Sequence, residues 1–351
     1  MRKIVAIILA FYLGLTGLYL WANGLIDRAL GDTPAGELAR EVLRVGFLPV
    51  TCHLTCPVTD WINQNTRGHS SFEPLRFNAW PELKEAFLAG ELRASFMIAP
   101  MALKLVEQGV PMKIVYLGHR DGTALVVHKD SDITDFAQLH GKRVAVPSRF
   151  SNQYLLIARA LESRGMGLTD VTIVEMPPPD MPAALSTRAV DAVISGEPFM
   201  AQTELEGYGR VLAQARELWP NFISCVLVVD QRLIDEDPAR VQELVDGIAS
   251  SGKWLDEDME HRMAASTVVA KRYYHQDPEL LRFVLSKPPD RVVYTNLDLV
   301  KAEFEEINRV AVKAGIMEAP LPFERYADGR FSDAVRVSEV ADPPAEPEAR
   351  P

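Results

Sequence analysis

Side chains able to do chemistry fall in a few short segments of this chain, separated by long apolar runs. Thr51-Cys52-His53 with Cys56 gathers two hydroxyl or thiol types and an imidazole in one loop. Cys52 and Cys56 form a C-x3-C pair that could be a strained local disulfide, half of a metal site, or two buried thiols. Zinc needs further ligands at suitable spacing and only His53 lies near, so the expectation is buried thiols with no metal site and no cofactor. Trp80 reads either as a stacking wall for a planar ligand or as a core ring at a strand end. Ser151, Asn152 and Gln153 supply neutral hydrogen-bonding groups at the start of a helix, as Thr51 does after the first strand. Such groups suit a small polar solute better than a strongly charged one. Glu197 would repel a bare anion unless it is paired, and its other reading is a carboxylate that fixes a helix start. His119 and Arg120 sit in a GHRDG segment that reads as a polar turn, where a solvent-facing role is equally open. No G-x-S-x-G, Walker loop or H-E-x-x-H occurs, so no catalytic residue is assigned and the expectation is a binding protein, not an enzyme.

Two stretches position these groups, Glu91–Ala102 (ELRASFMIAPMA) and Arg188–Ala201 (RAVDAVISGEPFMA). Each reads as a helix end, a turn, a small-residue strand and then a proline, Pro100 or Pro198, that opens a new helix. Proline is tolerated in the first turn, where its missing N–H costs nothing. In an open α/β sheet such junctions, at the carboxyl ends of strands, line the ligand crevice. The same device used twice points to two similar lobes facing one cleft, with the backbone beside Pro100 on one wall.

The chain has 351 residues, 48% hydrophobic and 24% charged, which is ordinary globular composition and suggests about two domains. The net charge is −11, but the first 31 residues carry Arg2, Lys3 and Arg28 against Asp27, or +2, leaving −13 beyond them. That surface excludes a nucleic-acid partner, whose phosphates it would repel. From Ile4 to Ile26 run 23 uncharged residues, close to the roughly 20 needed to span a bilayer and longer than the roughly 7–15 of a signal core. Residues 1–31 therefore read as a signal anchor or signal peptide that forms an N-terminal apolar helix, with the body of the chain exported.

From Val42 the pattern alternates strand and helix, which argues for a parallel sheet covered by helices, and it restarts near His128. Phe222–Asp230 (FISCVLVVD) reads as a strand returning to the first lobe. Four helical segments follow to Gly315 and are expected to pack on that lobe. The expected lobes are residues 42–128 with 226–320, and 129–225, with a disordered Pro/Glu/Ala-rich tail over 332–351.

The stretches VGFLPV at Val45–Val50, Trp80 with its helix, ASFMIAPMA at Ala94–Ala102, SGEPFMAQ at Ser195–Gln202 and DPARVQELVDGIASSGKWLDED at Asp237–Asp258 resemble a known family. They look like those of ABC-importer substrate-binding proteins of the nitrate/sulfonate/bicarbonate (taurine-type) group and its thiamine-precursor-like relatives, over residues 42–318. The resemblance implies an α/β, type II periplasmic binding fold, two lobes closing on a solute, and permease and ATPase partners for a monomeric, extracytoplasmic protein. It also implies ligand contacts from the first-strand loop (Thr51, His53), Trp80 and the loop at Ser151-Asn152, where oxyanion binders often carry Thr-His. That histidine is missing here, so the solute stays open. The other readings are a binder of a thiamine-pyrimidine-like heterocycle, a membrane-tethered sensor, and a pyrimidine-synthesising enzyme. The last needs a cysteine-rich iron-binding motif, and only Cys52 and Cys56 lie close together.

Overall fold

The computed structural model describes residues 42–67, 70–340 and 342, so the expected N-terminal apolar helix lies outside the described residues. Among the described residues no helix is long and apolar enough to cross a membrane. Among the described residues eleven strands form two sheets. The strands are β1 Leu43–Phe47, β2 Phe72–Arg76, β3 Ala94–Ile98, β4 Met112–Asp121, β5 Thr123–His128 and β6 Arg143–Val146, then β7 Thr172–Glu175, β8 Ala192–Gly196, β9 Gly209–Gln214, β10 Ile223–Asp230 and β11 Val292–Val293. One sheet has the order β11-β4-β10-β3-β1-β2 and the other β7-β6-β8-β5-β9.

Within each sheet the βα units pair in parallel, β1 with β2 and β3, and β6 with β7 and β8. Their central strands β3 (ASFMI) and β8 (AVISG) are buried at every position, as expected where helices cover both faces of a parallel sheet. The long apolar strands β10 and β5 join antiparallel, each between two neighbours.

The chain passes from the first sheet to the second at Gly122 and returns just before Ile223. Both passages carry left-handed backbone, at Asp121 (φ 63°), Gly122 (φ 61°) and Asn221 (φ 57°). This corrects the expectation that placed Thr123–His128 with the first lobe and Cys225 with the second. TALVVH pairs with β8 and β9, and Cys225 lies inside β10 of the six-stranded sheet. An apolar strand next to a boundary shows its burial in its sequence but not which sheet it joins. The GHRDG segment is likewise no turn: β4 runs through it to Asp121, and β10 pairs along that length.

The later helices are Pro238–Glu257, Met259–Val269, Pro278–Ser286 and Lys301–Lys313. They do not keep to one sheet. Ala201, which follows β8, shares an apolar cluster with Trp254, Leu281 and Phe47, and Lys301–Lys313 reaches the second sheet's helix through the Arg159–Glu306 and Lys313–Glu162 ion pairs. The expected loose tail is also corrected over its described part. Phe331 and Ser332 are buried in a short helix, Arg336 N–H donates to Asp246 Oδ1 at 3.0 Å, and Ser338 N–H donates to Ser250 Oγ at 3.1 Å. Side chains of Pro238–Glu257 thus satisfy backbone donors that a polar sequence cannot satisfy with a core of its own.

Gly122 N–H donates to Arg291 O at 2.8 Å while Gly122 O accepts from Glu197 N–H at 2.8 Å, so this passage is fixed on both sides. A Cβ there would stand 2.9 Å from His119 Cε1 and 3.2 Å from Val292 Cγ2, on a left-handed backbone. Gly122→Ala is therefore expected to cost about 1–3 kcal/mol of unfolding free energy by strain and overlap. Denaturant unfolding checks this, and a loss below about 0.5 kcal/mol, the scatter of neutral surface changes, contradicts it.

Candidate functional site

The carboxyl ends of β1 and β3 face those of β6 and β8. After β1 the backbone turns through Thr51–His53, all fully buried. Thr51 N–H donates to Glu197 O at 2.7 Å, which joins the two sheets directly. Thr51 Oγ1 lies 3.2 Å from His119 Nε2, and Thr51 O accepts from Tyr294 O–H at 2.9 Å. Leu48 N–H donates to His53 Nδ1 at 2.7 Å, and that nitrogen also lies 3.2 Å from Leu48 O. Its ring packs edge-on to Trp80, with centroids 5.6 Å apart, and tilts against Phe96 at 5.1 Å. Trp80 opens the helix Trp80–Leu88 with Pro81 behind it, and Pro100 is buried at the start of Ala99–Glu107.

From the second sheet, Ser151 caps the helix Asn152–Glu162: its Oγ accepts from Tyr154 N–H at 3.0 Å and donates to Ser148 O at 2.6 Å. Asn152 Nδ2 donates to the carbonyls of Ile223 and Ser224, and Gln153 Nε2 donates to Thr123 Oγ1 at 3.2 Å. Both carboxylate oxygens of Glu197 are engaged. Oε2 accepts from Ala201 N–H at 2.8 Å, and Oε1 lies 2.8 Å from Arg291 Nη1, which is also 2.8 Å from Glu204 Oε1. Burial pushes the Glu197 carboxyl above its ordinary value against the pull of Arg291. Burial works to lower Arg291, yet its two carboxylate partners hold it above its ordinary value.

The structure therefore brings Thr51, His53, Trp80, Asn152 and Gln153 to one buried layer between the sheets. Ser151 and Glu197 stand at its edge with their hydrogen bonds directed into the fold. Arg120 lies in β4, not in a loop, with Nε on Asn296 O at 2.7 Å, Nη1 on Asn221 O at 2.9 Å and Nη2 on Glu303 at 2.9 Å.

Several polar atoms of this layer lack a hydrogen-bond partner although they are buried. They are His53 Nε2, Trp80 Nε1, His119 Nδ1, Asn152 Oδ1, Gln153 Oε1, Ser195 Oγ and Ser224 Oγ. Each such atom left unpaired costs about 1–3 kcal/mol, and folded proteins leave few of them. Trp80 offers only a donor; Asn152 Oδ1 and Gln153 Oε1 only accept. Burial lowers the His119 pKa to about 4, so its imidazole is neutral near pH 7, with one nitrogen donating and the other accepting. Beside this layer a cavity of about 210 Å³ opens between Pro81, Met101 and Lys104 of the first sheet's helices and Ser148, Phe150 and Glu175 of the second sheet. A larger cavity of about 680 Å³ lies elsewhere, against Pro238–Glu257 and residues 336–340, and shares none of these atoms.

Cys52 does not meet Cys56. All three cysteines are buried free thiols, and Cys52 Sγ lies 2.9 Å from Cys225 Sγ, 173 residues away in sequence. Burial works to raise Cys52, but the hydrogen bond from Cys225 and the nearby His53 outweigh it and leave Cys52 well below the ordinary thiol value. Burial and that same contact raise Cys225. The sequence reading passed over Ser224, Cys225 and Arg291 as site residues. The signal for the first two was a Ser-Cys pair inside an otherwise apolar strand. For Arg291, in KPPDRVV, no pattern marks the partner, because the contact with Glu197 spans 94 residues.

The two α/β sheets and their connections give the fold of periplasmic binding proteins. The nitrate-binding protein NrtA from Synechocystis PCC 6803 superposes with a TM-score of 0.76 at 15% identity, over 87% of this chain and 92% of that one. The desulfurization enzyme DSZB shares the fold at a TM-score of 0.59 and 18% identity, over 84% of this chain and 98% of that one. In sequence, a protein of Escherichia coli (strain K12) named for binding aliphatic sulfonates is 27% identical over 190 residues, 52% of this chain and 58% of its own length. The chain spans between 37% and 58% of the length of the curated relatives it matches. The NMT1-like family profile matches residues 36–270, and the chain belongs to that family.

Arg291 neutralises a carboxylate that is 0% exposed, with its own side chain 4% exposed. Arg291→Met should cost about 3–5 kcal/mol, because it leaves Glu197 buried and unpaired. The double variant Arg291→Met/Glu197→Gln should recover part of that loss, since no buried charge remains. Thermal and denaturant unfolding of the set checks this; a single-variant loss below about 1 kcal/mol, the worth of an exposed pair, contradicts it.

Proposed function

We propose that the chain is the substrate-binding component of an ABC importer, and that it captures a small polar solute of the nitrate/sulfonate class between two lobes built on its two sheets. The observation that carries the reading is the set of buried, unpartnered polar atoms contributed by both sheets: Trp80, His53, His119 and Ser224 from one, Asn152, Gln153 and Ser195 from the other. A solute with several oxygens would pair these atoms at once, and an aromatic wall with a few placed polar groups is the usual make-up of such a site. Relatives named for nitrate and aliphatic sulfonates support the solute class. In this reading Thr51, His53, Trp80, Asn152 and the backbone beside Pro100 line the site. Ser151 and Glu197 hold its frame, and Gly122 and Asn221 lie in the connections about which the lobes open. Residues 1–31 carry the chain out of the cytoplasm as signal or anchor, and a permease and an ATPase receive the solute.

A second reading, an enzyme, has one observation in its favour: the acidified Cys52 thiol beside His53, in a fold that also serves a desulfurization enzyme. Calorimetry with nitrate, nitrite, bicarbonate and short alkanesulfonates, followed by recovery of the solute, separates the two. A binding protein returns the solute intact, and a chain that converts it puts the enzyme reading first.

For the solute that binds, Trp80→Phe keeps the apolar wall but removes the unpartnered N–H. It should weaken binding by about 1–3 kcal/mol, roughly five- to a hundredfold, whereas Trp80→Ala loses the wall as well and should weaken it further. Calorimetric affinities within twofold of the parent for both variants would place the site elsewhere.

A further inference from the structure

Cys52 and His53 are neighbours in the turn after β1 and Cys225 lies near the start of β10, yet the fold brings all three to one point. Cys52 Sγ, Cys225 Sγ and a ring nitrogen of His53 all lie within 4.8 Å of one another, and all three residues are buried. His53 has Nδ1 beside the backbone of Leu48, at 2.7 Å from its nitrogen and 3.2 Å from its carbonyl, while Nε2 is buried without a partner. A second histidine, His119, pairs in register with Cys225 across β4 and β10. No carboxylate belongs to the group.

We propose that these three side chains form a site for one thiophilic divalent cation of the zinc type, bound through Cys52 Sγ, Cys225 Sγ and His53 Nε2. The donor set is the argument for the class of metal: thiolate and imidazole select zinc-like ions over magnesium or calcium, which take oxygen ligands. Charge argues the same way. Two thiolates and one divalent cation sum to zero, so the site can be buried without the penalty that a lone thiolate would bring. Leu48 N–H now donates to Nδ1, so the neutral ring carries its proton on Nε2. Binding releases the thiol protons to solvent and moves the ring proton to Nδ1, which must turn from the Leu48 N–H to the Leu48 carbonyl, 3.2 Å away, the support that metal-bound histidines ordinarily have. At metal–sulfur bonds of about 2.3 Å two thiolates on a tetrahedral ion stand about 3.8 Å apart, so the sulfurs, now 2.9 Å apart, separate by about 1 Å on binding. Three protein ligands leave a fourth position for an external ligand, in the same layer as the unpartnered atoms of the candidate solute site. The metal site does not depend on the solute reading, because the metal is tested alone.

The test uses the full chain, reduced so that its three cysteines titrate as free thiols, freed of metal by chelation, and titrated with Co2+ in the absence of any solute. The expected result is one Co2+ per chain with thiolate-to-metal charge-transfer absorption and the strong visible bands of tetrahedral cobalt, both removed by one equivalent of Zn2+. Cys225→Ser and Cys52→Ser should each weaken binding by about a hundredfold or more, and His53→Ala by at least about tenfold. Cys56→Ser, whose thiol is outside the group, should leave the affinity unchanged. The charge-transfer band of the unaltered chain reports thiolate ligation whether or not a variant folds. Absence of that band, a stoichiometry well below one, or an undiminished affinity in folded Cys225→Ser would overturn the proposal. Solute binding is measured separately in the metal-free chain, so failure of the metal site and failure of the transport reading are distinguishable.

Discussion

Everything between the two sheets depends on the Glu197–Arg291 pair. Glu197 stands at the end of β8 and is 0% exposed; Arg291 stands one residue before β11 of the other sheet. A buried pair of this kind contributes little net stability against apolar side chains of the same volume, but breaking it is expensive. What it does is tie the two sheets to each other. The carbonyl of the same Glu197 receives Thr51 N–H, so one residue ties the turn after β1, the helix after β8 and the approach to β11 into a single contact. Glu197 is thus a clasp whose two carboxylate oxygens are both taken by protein groups.

That clasp explains why polar atoms can remain unpaired inside. In the proposed reading, closing the lobes over the ends of β1, β3, β6 and β8 removes water from Trp80, His53, Asn152, Gln153 and Ser224, all buried in this structure. Hydrogen bonds in such a dry layer are strong when made and costly when missing. A solute that pairs the set would repay the cost of closing, and without it the closed state carries that cost unpaid. The direction of the equilibrium between open and closed lobes then follows from the solute's differential affinity for the closed form.

Local features were legible in the sequence. Pro100 and the small-residue strands marked the βα junctions correctly, because proline in a first helical turn and an apolar five-residue run are both short-range signals. Trp80, Thr51 and Asn152 are proposed as site residues for the same reason, lying just past strand ends, and all three are buried there. Ser151 reads in sequence as a ligand group, whereas its hydroxyl is engaged in capping the helix Asn152–Glu162. The other readings that needed revision all concern pairing at long range. TALVVH had to choose a sheet, Cys52 had to choose between Cys56 four residues on and Cys225 in β10, and the 332–340 segment found acceptors on Pro238–Glu257. None of these partners is encoded in spacing or periodicity.

On the proposed reading the solute sits in the layer now holding unpartnered atoms. A crystal structure of the chain saturated with whichever nitrate- or sulfonate-class solute it binds is the sharpest check. The expected result is one solute enclosed between the sheets, with its oxygens within hydrogen-bonding distance of Trp80 Nε1, His53 Nε2 or the metal it ligates, and Ser224 Oγ, and with the Glu197–Arg291 pair intact. A solute bound outside that layer, in a chain whose Trp80 and Ser224 remain unpaired or meet only water, would contradict it.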